Sequence, residues 1–106
     1  GEDSQTLCSL AAGAYGVVSV AAHVVGLRMK EMIDCYLRGE VKKAAEMNLE
    51  LLDIFNKLFI TTNPIPVKAA LNMMNVKVGE LRLPLSQATP EIMAEIQRSL
   101  RKIKLA

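Results

Sequence analysis

Apolar and polar residues alternate along this chain with helical spacing almost throughout, and one short run breaks the pattern. Leu7, Leu10 and Ala11 make one apolar side of a helix predicted over about residues 5–12, with Asp3 or Ser4 as its cap and Gly13 as its end. Gly16-Val17-Val18-Ser19-Val20 is β-branched and lacks helical spacing, so it predicts a short, fully buried strand. From about Val24 to Arg38, Val25, Met29, Met32, Ile33, Tyr36 and Leu37 recur three and four residues apart, and Gly39 breaks the run.

The next helix is predicted over about 41–59 and carries two apolar stripes. One is Val41, Ala45, Leu49, Leu52, Phe55 and Phe59; the other is Ala44, Met47, Leu51, Ile54 and Leu58. A helix this widely apolar needs neighbours on two sides. Thr61 to Pro66 reads as a rigid turn, because each proline biases its predecessor away from helix. Pro66 suits the first turn of a further helix, with Val67, Ala70, Leu71 and Met74 on one face. Residues 79–85 are expected to form an extended, packed connection. Thr89-Pro90-Glu91 is a start signal for a last helix lined by Ile92, Ile96, Leu100 and Ile103.

The expected fold is therefore mostly α with one short β-strand. A lone strand cannot satisfy its own backbone groups. Its partners are expected outside this sequence or in another copy, so the chain reads as a piece of something larger. Helix, buried strand and helix in succession resemble the last turn of a wound α/β fold.

Composition narrows the function classes. The 106 residues carry a net charge of +2 and four aromatic rings, with no Trp. Nucleic acid and membranes are therefore not expected as partners. No apolar run approaches the ~20 residues of a membrane span, and no signal peptide is visible. Cys8 and Cys35 form no metal-ligand pattern and are expected as reduced, buried thiols; no metal or cofactor is expected. His23, the only histidine, follows the predicted strand, where a barrel places active-site groups, but a capping or packing role fits it better. Glu2 and Asp3 suit a helix N-terminus. Lys68 is read as a solvated helix residue rather than a Schiff-base nucleophile.

Four runs, in order, resemble dihydrodipicolinate synthase: Gly1-Glu2-Asp3-Ser4, Gly16 to Gly26, Asn63-Pro64-Ile65-Pro66-Val67-Lys68, and Leu81-Arg82-Leu83-Pro84-Leu85. The resemblance covers essentially the whole chain and corresponds to the C-terminal portion of that enzyme. It implies a (β/α)8 barrel followed by a C-terminal helical extension. Residues 1–38 would be the last βα units (helix 7, strand 8, helix 8) and residues 39–106 the extension. The family joins pyruvate to aspartate 4-semialdehyde in diaminopimelate and lysine biosynthesis, holding pyruvate as a Schiff base on a lysine. That lysine would precede Gly1, so the chain alone is expected to be inactive.

By the same resemblance, Gly1 and Val18 would line the pyruvate pocket, and Glu2 and Asp3 would lie near the mouth through which the second substrate enters. A cytoplasmic homo-oligomer, typically a tetramer, is implied for the parent, and a dimer or swapped oligomer for this chain. The alternatives are a small, self-associating helical protein without catalysis, or a fragment of another pyruvate-dependent aldolase.

Overall fold

A computed structural model describes residues 1–105 and divides them into two compact units, with the division falling between Leu52 and Asp53. The first unit opens with a 3-10 turn, Asp3–Gln5, which runs into α1 (Thr6–Ala11). Gly13, at φ +102°, carries the chain out of that helix in the left-handed region that glycine enters without strain. Helix α2 spans Ala22–Leu37 and has a non-helical backbone at Val25. Gly39, at φ +88°, ends it as the sequence predicts. Helix α3 (Val41–Lys57) starts in the first unit and ends in the second.

In the first unit α1 packs on α2. Met32, Cys35 and Ala44 form a buried cluster, and Leu7, Tyr36 and Met47 pack around it half-buried. The second unit contains α4 (Ile65–Met73) and α5 (Pro90–Lys102), which pack against each other. Its buried set includes Ile54, Phe55, Leu58, Val67, Ala70, Ile96 and Leu100. Pro66 lies in the first turn of α4, where a missing N–H costs nothing. Thr89 caps α5, its hydroxyl accepting from the Ile92 amide at 3.3 Å.

Several expectations need correction. Residues 17–20 form no strand, and no strand occurs among the described residues. Val18 is 87% exposed rather than buried. A strand exists only through a ladder of hydrogen bonds to a neighbour, and no neighbouring strand lies among the described residues. Cys8 is exposed, whereas Cys35 is buried and free as expected. The 79–85 connection is not packed along its length, since Leu83 is 93% exposed. Its tether is the Lys68 ammonium, which donates to the Glu80 carbonyl at 2.5 Å. Of the two stripes on α3, one is buried at Ala44, Leu51, Ile54 and Leu58; the other is exposed at Val41, Leu49 and Phe59 and buried at Phe55.

Salt bridges join α3 to α5 within the second unit. Lys57 meets one oxygen of Glu95 at 3.0 Å and Arg98 meets the other at 3.1 Å. Lys102 approaches Asp53 at 3.6 Å. Lys57, and then Arg98, hold the Glu95 carboxyl below its usual value. Asp53 is also lowered, first by the Ser99 hydroxyl and then by Lys102 and Lys57, while burial opposes the shift. A carboxyl depressed by folding stabilises the fold above its unfolded pKa, and that contribution fades as pH falls through the folded value. The melting temperature is therefore expected to be level above about pH 5 and to fall below about pH 4. Asp53→Asn with Glu95→Gln should flatten that fall. Melting curves from pH 3 to 7 would show whether it does; an unchanged slope in the double variant would remove these pairs from the acid limb.

Candidate functional site

The residues assigned to a site by sequence lie in the first unit, where the chain start meets the 14–21 segment. Asp3 anchors the arrangement. It is 3% exposed, and its carboxylate accepts from the Ser19 hydroxyl on one oxygen and from the Ala21 amide, at 2.9 Å, on the other. The Ser19 oxygen in turn accepts from the Ala22 amide at 2.9 Å, covering an unpaired donor at the start of α2. The Asp3 carbonyl accepts from the Thr6 hydroxyl at 2.9 Å, which fixes the turn into α1. Asp3 and Ser19 thus fasten two segments that are sixteen residues apart in sequence.

This latch sets the path of the backbone beside it. A Cβ built on Gly1 would stand 2.8 Å from the Val18 carbonyl oxygen, closer than such atoms approach in real structures. Gly1 and Val18 are therefore neighbours through their backbones, and only glycine permits this approach. The structure brings together the two positions singled out for the pyruvate pocket. Both are exposed, as is Glu2. Asp3 differs from Glu2, because both of its carboxylate oxygens are occupied by partners within the chain. His23 is exposed in the first turn of α2 and stands apart from these contacts.

Ser19 is the residue the sequence reading missed as a contributor. The available signal was a serine three residues ahead of Ala22, a spacing at which a hydroxyl caps a helix. The β-branched residues around it pointed to a strand and obscured that signal.

No lysine is buried: Lys57 and Lys68 are half-buried and Lys30, Lys42, Lys43, Lys77, Lys102 and Lys104 are exposed. A lysine amine becomes a nucleophile near neutral pH when desolvation or a nearby positive charge lowers its pKa. Lys30, Lys57 and Lys102 each pair with a carboxylate. Lys68 spends a proton on the Glu80 carbonyl.

The model of the Dihydrodipicolinate synthetase family matches residues 1–103. The chain belongs to that family. A 4-hydroxy-tetrahydrodipicolinate synthase of Thermosynechococcus vestitus is 50% identical over 100 residues, covering 94% of this chain and 34% of the relative. A solved dihydrodipicolinate synthase from Thermotoga maritima superposes with a TM-score of 0.96 at 39% identity, covering all of this chain and 36% of that one. A chloride-inhibited dihydrodipicolinate synthase from Acinetobacter baumannii, complexed with pyruvate, superposes with a TM-score of 0.92 at 27% identity, covering all of this chain and 36% of that one. The chain thus spans about a third of the length of its dihydrodipicolinate synthase relatives, and its helices are a partial piece of their fold.

Proposed function

We propose that the chain is the C-terminal third of a 4-hydroxy-tetrahydrodipicolinate synthase, a lyase that condenses pyruvate with aspartate 4-semialdehyde. In this reading pyruvate is held as a Schiff base on a lysine supplied by the rest of the barrel. The chain contributes the pocket rim at Gly1 and Val18, and Glu2 faces the mouth that admits the second substrate. Asp3 is a positioning residue that holds the rim through Ser19. Residues 1–38 are the last βα units of the barrel and residues 39–106 its helical extension. The whole enzyme works in the cytoplasm as a homo-oligomer.

The observation carrying the reading is the backbone contact of Gly1 with Val18, set by the buried Asp3. Family membership over residues 1–103 gives it context. The exposure of Tyr15, Val18 and Leu27 supports it too. Apolar groups left bare in one piece of a barrel are expected to be covered in the whole.

The chain alone is expected to form no adduct with pyruvate, because none of its lysines is fully buried. Incubation with pyruvate and borohydride followed by intact-mass measurement tests this. A mass increase of one reduced pyruvyl group would overturn the assignment of the Schiff-base lysine to the remainder of the enzyme.

A second reading, self-association without catalysis, is favoured by the exposed stripe at Val41, Leu49 and Phe59. Light scattering on a dilution series separates the two. Under the first reading, adding the remaining two-thirds of the Thermosynechococcus enzyme should dissolve any self-associated species and yield activity. Under the second, the oligomer should persist and no activity should appear.

A further inference from the structure

We draw no further inference here: the strongest candidate, the open segment between α1 and α2 that carries the exposed Tyr15 and Val18, belongs to the site already described, and nothing in the structure shows what covers it.

Discussion

Asp3→Ala is expected to lower the unfolding free energy of the chain by about 2–4 kcal/mol, with Asp3→Asn costing about half as much. The carboxylate makes two hydrogen bonds, one to the Ser19 hydroxyl and one to the buried Ala21 amide. Bonds to a charged acceptor contribute about 1.5–3 kcal/mol each, and here they share one side chain, so they do not add fully. Removing the acceptor also leaves the Ala21 N–H buried with no partner. Asparagine keeps one accepting oxygen and loses the charge, which explains its smaller effect. Urea denaturation gives the energies, and hydrogen exchange at Ala21 and Ala22 gives their location. Exchange at both amides should quicken in the alanine variant before the rest of the first unit loosens. A loss under about 0.5 kcal/mol would mean that something other than the latch positions the 14–21 segment.

Asp3 also shows where sequence reading stops. Its type and place named a charged group near a helix start, and the family resemblance named a substrate mouth. Neither identified Ser19 and Ala21 as its partners, because those contacts span sixteen and eighteen residues and depend on the tertiary fold. The helices were far more legible. Their ends are marked by local chemistry, such as Gly39 after α2 and the Thr89-Pro90 start of α5, and local chemistry survives in any context. The strand expected at residues 17–20 failed for the opposite reason. A β-branched run records surroundings that include other strands, and the described residues supply none. In this chain the run stands in the open, with Val18 87% exposed.

The two stripes of α3 carry the same lesson into energetics. Leu49 and Phe55 belong to one stripe, so pattern alone gives them similar weight. The structure separates them: Leu49 is 69% exposed and Phe55 only 2%. Phe55→Ala is expected to cost about 3–5 kcal/mol, from lost apolar burial and the cavity left behind. That is a large fraction of the roughly 5–15 kcal/mol that holds a typical domain together, so the variant should be close to unfolding. Leu49→Ala should change stability by less than about 0.5 kcal/mol, since little surface leaves water at that position and alanine is a good helix former. Urea titrations of both variants, repeated at two protein concentrations, decide the matter. If Leu49→Ala proves costly and the cost depends on concentration, another copy covers the stripe at Val41, Leu49 and Phe59, and self-association becomes the better account of this chain. If the difference holds at both concentrations, the stripe stands open, as expected of a face that the rest of the enzyme would cover.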